Sequence, residues 1–146
     1  MIEATADGLD RHPYVFDTDH LTVEVLAGGA LGVPYSVPNG LHAVDILFDH
    51  PLALGQRHAL KCETTFRYES QPPLEFRRFA TVRIEYADVE VTYHPAKPPK
   101  RVWEAEWKGL ASEPVRGKAI TPDDYRTVRR FIREVENTCF GFIWEW

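Results

Sequence analysis

Residues 58–69 read His-Ala-Leu-Lys-Cys-Glu-Thr-Thr-Phe-Arg-Tyr-Glu, an alternation that decides the fold class. His58, Leu60, Cys62, Thr64, Phe66 and Tyr68 fall on one side, and Lys61, Glu63, Thr65, Arg67 and Glu69 on the other. A period of two belongs to a β-strand with one face on a core and the other in water. The pattern returns near Ala80, where Ala80, Val82, Ile84 and Tyr86 lie opposite Thr81, Arg83 and Glu85. It then changes phase, because Val89, Val91 and Tyr93 are odd-numbered, and a tight turn or bulge at Ala87-Asp88 is expected there.

Shorter alternating runs occupy residues 21–26, 41–48 and 101–107. Between them stand chain breakers: Gly28-Gly29, Pro34, Pro38-Asn39-Gly40, Pro51, Gly55, Pro72-Pro73 and the proline-rich stretch 94–99. Short strands at this spacing, with eleven prolines at turns or edges, predict an all-β fold. The expected architecture is a single antiparallel β-sandwich, Ig-like, of about seven to nine strands spanning residues 1–146 as one domain.

One stretch resists the pattern. Thr121-Pro122-Asp123-Asp124 has the form of an N-cap with proline at the first helical position, and Val128, Phe131, Ile132 and Val135 recur at helical spacing. These local signals predict one short helix near 122–135. As a strand, the same stretch would pair with the terminal Thr-Cys-Phe-Gly-Phe-Ile-Trp-Glu-Trp through a turn at Glu136-Asn137. That ending places Phe140, Phe142, Trp144 and Trp146 on one face and Cys139, Gly141, Ile143 and Glu145 on the other. Both faces are largely apolar, as in a strand covered on two sides.

With 146 residues, 44% hydrophobic and 27% charged, the chain is long and apolar enough for a proper core and is not disordered. A net charge of -5 argues against broad nucleic-acid binding, which neutralising phosphates would require. No run approaches the ~20 apolar residues of a membrane span, and the acidic start Met-Ile-Glu-Ala-Thr-Ala-Asp lacks the basic and apolar regions of a signal peptide. The expectation is a cytoplasmic protein whose two cysteines, Cys62 and Cys139, are free thiols in the core.

No signature identifies a reaction. His42, Asp45 and Asp49 could serve a small metal-dependent enzyme, but on a strand His42 points away from the two carboxylates. Ser36, Ser70 and Ser112 lack the nucleophile elbow, and Gly28 to Gly32 lacks the dinucleotide spacing. Neither a cofactor nor a metal is expected. Basic residues gather at Arg126, Arg129, Arg130 and Arg133, and large aromatics at Tyr93, Trp103, Trp107, Trp144 and Trp146. The aromatics suit one common core; exposed, they would form a platform for sugars or for a protein.

Arg101, Val102, Trp103 and Trp107 after a proline-rich turn, with Gly141, Phe142, Trp144 and Trp146 at the end, make residues 55–146 resemble a family region. It is the C-terminal all-β region of uncharacterised actinobacterial helix-turn-helix regulator-associated proteins. The resemblance implies an accessory role and no activity; the chain has no helix-turn-helix of its own. The function expected is a non-catalytic protein-interaction or ligand-sensing module, acting through a strand edge or an aromatic patch, with Trp103, Trp107, Trp146, Arg129 and Arg130 as candidate binding residues. Its partner would be another protein or a second copy. A carbohydrate-binding sandwich is the alternative that uses the same tryptophans.

Overall fold

The computed structural model describes residues 1–18, 20–68, 71–80, 83–108, 112–124 and 126–146. Glu69, Ser70, Thr81 and Val82 of the sequence patterns above lie outside the described residues. The protein is all-β, with several antiparallel sheets packed in a sandwich-like manner. It divides into two compact units, Met1–Gln71 and Pro72–Trp146.

The first unit contains β1 (Ile2–Glu3), β2 (Leu9–Phe16), β3 (Leu21–Ala27), β4 (Ala30–Val37), β5 (Leu41–Leu52), β6 (Arg57–His58) and β7 (Lys61–Phe66). A single 3-10 turn at Pro38–Gly40 joins β4 to β5. The sheet order β2-β5-β4 forms one layer, β3 pairs with β7, and β1 with β6. Ile2, Ala4, Phe48 and Leu52 are the buried centre, with Leu9 and Leu60 against them. Pro13 and Pro34 lie on β2 and β4, the two outer strands of their sheet, where a missing N–H is tolerated.

The alternating stretch 58–69 is not one strand but two. The chain breaks at Ala59-Leu60, leaving β6 in one pair and β7 in another. Gly28 on the neighbouring segment packs against the break: with φ at +86° it lies against Ala59, where a Cβ would overlap the carbonyl oxygen. The His58 Nε2 to Gly28 carbonyl contact of 2.6 Å fixes the crossing. Cys62 on β7 is half-buried and Cys139 fully buried, so only the second is a core thiol.

The second unit contains β8 (Glu75–Ala80), β9 (Ile84–Thr92), β10 (Arg101–Trp107), β11 (Val115–Ile120), β12 (Thr127–Val135) and β13 (Thr138–Glu145). One sheet has the order β11-β10-β13-β8, and the β9–β12 pair packs across it. Tyr93, Val102, Val128, Phe142 and Trp144 fill the space between, and Ala80, Ile84, Val135 and Phe140 continue it. On the other face of β13, Cys139 and Ile143 pack with Ala105 and Trp107. Residues 139–144 are therefore buried on both sides, as their double apolar pattern requires. The aromatics do not share one core: Tyr93, Trp144 and Trp146 lie on one face of β13, and Trp103 and Trp107 on the opposite face.

The short helix expected near 122–135 is not present; Thr127–Val135 is a strand paired with β9 over its whole length. Thr121-Pro122-Asp123-Asp124 instead builds a tight turn, in which Asp123 and Thr127 exchange backbone hydrogen bonds and Asp124 has φ at +46°. The helical spacing of the apolar residues has a physical origin. Val128, Arg130 and Ile132 face inward and Phe131 outward, until Glu134, at φ +52°, shifts the phase and turns Val135 inward. Pairing with β9 then overrides the local helical signals. The turn at Glu136-Asn137 exists, but it carries the chain from one sheet to the other and β12 does not pair with β13. The phase change on β9 also lies earlier than Ala87-Asp88, opposite Glu134, between buried Ile84 and half-buried Ala87.

Gly141 lets β8 approach β13, since a Cβ there would overlap the Phe76 carbonyl oxygen. Gly141→Ala should cost roughly 1–3 kcal/mol by overpacking. Trp144→Ala, which empties a site only 8% exposed, should cost about 3–5 kcal/mol. Urea unfolding of each variant checks both values. Tyr93 gives a pH prediction: burial pushes its phenol well above the ordinary value of 10.0. Below pH 10 the neutral phenol suits both states and its stabilisation is complete. Above that pH the unfolded chain ionises while the folded one resists, so stability falls as pH rises. Tyr93→Phe should flatten that alkaline loss in urea titrations between pH 9 and about 11.

Candidate functional site

The five residues singled out in the sequence do not form one site. Trp107 is 3% exposed and offers no face to a ligand. Trp103, half-buried on β10, is covered by the Arg116 guanidinium 4.7 Å above its ring. Trp146 stands edge-on to Tyr93 and Trp144, with ring centroids 6.0 and 5.9 Å away, and Lys97 Nζ lies 4.7 Å from it. These tryptophans pack against basic side chains or core; they are not bare stacking platforms.

Arg129 and Arg130 are neighbours on β12 and therefore point to opposite faces. Arg129 is exposed and forms a two-pronged ion pair with Asp88 on β9, its Nε donating to Oδ1 at 2.7 Å. This guanidinium holds the Asp88 carboxyl below the usual carboxylate range. Arg130 reaches across the sandwich with its side chain only 11% exposed. It donates to the Ala105 carbonyl at 3.0 Å and to Glu106 at 2.6 Å, with Glu104 at 3.5 Å. Arg130 is thus a polar clamp between the two sheets of the second unit.

His42, Asp45 and Asp49 do not converge. His42 stacks nearly parallel on Phe16, with centroids 6.0 Å apart. Asp45 accepts hydrogen bonds from the Tyr35 hydroxyl at 2.9 Å and from Arg11 at 3.3 Å. The Asp45 contact also raises the Tyr35 phenol, because its proton is held by the carboxylate. Among the described residues no three His, Cys, Asp or Glu side chains gather as a ligand set.

What the strands do build is an open groove in the first unit, of about 460 Å³, between β3 and the β2-β5-β4 sheet. Gly28 and Gly29 make it: both have positive φ, and they split β3 from β4 so that the two enter different sheets. Val44 is its buried floor, Leu21, Val23 and Leu31 form walls, and the Phe16–His42 stack lines it. The Tyr14 hydroxyl meets Thr64 Oγ1 at 2.8 Å, tying β2 to β7. The register of β4 shifts between Leu31 and Pro34, so both face the groove although one is odd-numbered and the other even. Gly32 permits this, because a Cβ there would lie 2.9 Å from the Asp45 carbonyl oxygen.

Of the lining residues the sequence pointed to His42, as a metal ligand, and raised Ser36 only to set it aside as a nucleophile. The signal for the rest was weak: His42 shares its parity with Val44, but the other walls come from three further strands. No family model, curated protein or solved structure matches the chain. No helix among the described residues is long and apolar enough to cross a membrane.

The two arginines separate by mutation. Arg130→Ala should lower stability by about 1.5–3 kcal/mol, since it removes the charged hydrogen bonds of a guanidinium only 11% exposed and leaves the Ala105 carbonyl without it. Arg129→Ala should leave thermal unfolding unchanged, because its ion pair is exposed to water. Calorimetry of both variants makes the comparison.

Proposed function

We propose that the chain is a non-catalytic ligand-sensing module that takes an uncharged, planar apolar molecule into the groove between β3 and β4. One observation carries the reading. The ten described residues that line the groove include no Asp, Glu, Lys or Arg, in a chain that is 27% charged. Such a lining disfavours ionic ligands, whose desolvation nothing there would offset, and favours apolar contact with one or two hydrogen bonds. Phe16 and His42 supply a flat aromatic wall, and Thr22 and Ser36 supply hydroxyls to fix orientation. The volume lies within the usual range for small-molecule sites. The resemblance of residues 55–146 to regulator-associated all-β regions supports an accessory role over a catalytic one.

The uncharged fluorophore N-phenyl-1-naphthylamine tests this directly. Its emission should rise and shift to the blue on titration with the protein. Ser36→Trp and Thr22→Trp, at exposed groove positions, should abolish the response without changing the melting temperature. A wild-type protein that leaves the probe unchanged, or a Ser36→Trp variant that responds equally, overturns the reading.

A further inference from the structure

On the sheet side of the groove, polar and apolar side chains are sorted along the strands. Register across the β2-β5-β4 sheet sets Phe16 and Ser36 directly opposite His42, one on each side. Directly opposed residues share a face, so they form one row across the sheet. The next row on that face is Tyr14, Val44 and Pro34, and the one after it is His12, Ile46 and Leu31. His42 and Ser36 of the first row line the groove, whereas the lining from the two later rows is Val44, Pro34 and Leu31, all apolar. The sheet wall thus has a polar end and an apolar length.

The groups at the polar end have no partner of their own. Among the described residues, nothing hydrogen-bonds the His42 imidazole, whose ring contact is the stack on Phe16, or the Ser36 hydroxyl. The two nearby phenols are engaged elsewhere, Tyr14 by Thr64 and Tyr35 by Asp45. A neutral imidazole presents one donor and one acceptor nitrogen, and a serine hydroxyl both donates and accepts. A ligand hydroxyl answers both at a single atom, donating to the imidazole nitrogen and accepting from Ser36. A carbonyl or an ether only accepts, which leaves the acceptor nitrogen of His42 unpaired. An ammonium or carboxylate would be desolvated with no opposite charge in the lining to offset it.

We propose that the groove takes a planar apolar molecule bearing one hydroxyl, of the phenol or naphthol class, and that His42 selects it by accepting the hydroxyl proton. The hydroxyl lies between His42 and Ser36, and the ring system extends over Val44, Pro34 and Leu31. This assignment rests on the groove being a small-molecule site and adds the end of the ligand that the groove recognises.

Displacement of N-phenyl-1-naphthylamine from the full chain at neutral pH tests it, with 1-naphthol and 1-methoxynaphthalene as competitors. The two share one ring system and differ in the donor proton. For the wild type, 1-naphthol should displace the probe at a roughly three- to tenfold lower concentration, the worth of one hydrogen bond. His42→Phe, which keeps a ring against Phe16 but no nitrogen, should abolish that preference, and His42→Gln, which keeps an acceptor, should restore part of it. Circular dichroism establishes that each variant is folded, and the wild-type comparison decides without them. A wild-type protein that binds the probe but does not prefer 1-naphthol overturns the hydroxyl assignment and leaves the groove reading standing. So does a preference that survives in folded His42→Phe. A probe that never responds overturns the groove reading itself, and this assignment with it.

Discussion

The second unit depends on one strand being covered on both sides. β13 lies between β10 and β8, and from Cys139 to Trp144 every residue is buried. A strand in that position can carry no charge within its covered length, and Glu145 enters only where burial ends. Phe140, Phe142 and Trp144 supply the filling between the sheets, where each large side chain contributes roughly 1.5–3 kcal/mol through burial. Gly141 is the complement of those large groups: their bulk holds the sheets apart, while its lack of a Cβ lets β8 close on the strand. Arg130 then occupies a position that alternation assigns to the interior. It is tolerated because Glu104, Glu106 and a backbone carbonyl satisfy its guanidinium.

The first unit solves a different problem. It holds a three-stranded sheet centred on the twelve-residue β5 and a separate β3–β7 pair, so β2, β4, β3 and β7 each have an unpaired side within the unit. Gly28 and Gly29 let the chain reverse between β3 and β4 without joining them in one ladder. The result is a sheet, a separate pair and a space between them, with Tyr14 and Thr64 bridging one side. A groove of this kind goes with backbone freedom at two residues; β5 supplies its floor through Val44, and β2, β3 and β4 supply most of the apolar lining.

Much of the fold was legible because alternation is a local signal. Residues 41–48, 101–107 and the terminal stretch read as strands from their own side chains, and they are strands. The failures came where non-local pairing changed the phase. In β12 the left-handed Glu134 turned a strand pattern into an apparent helical one. In β4 the shift near Gly32 and Val33 erased the alternation, so Ala30–Val37 showed no strand pattern of its own. In residues 58–66 the reverse occurred: a perfect alternation concealed a break at Ala59-Leu60, where the chain packs against Gly28, more than thirty residues away in sequence. The groove was illegible for the same reason, as β2, β3, β4 and β5 each contribute only a few residues to it.

Those phase shifts also explain why β4 carries two surfaces. In a regular strand one face is buried and the other solvated, and a single alternation serves both. The shift between Leu31 and Pro34 adds a residue, so Leu31, Pro34 and Ser36 line the groove while Val33 is thrown outward. An apolar side chain made 83% accessible by a bulge gains nothing for the fold of its own chain. The same backbone irregularity therefore shapes the groove and exposes Val33, and changes at Gly32 should disturb both together. Side-chain changes at Val33 or Ser36 separate them, because each touches one surface and leaves the backbone of β4 in place.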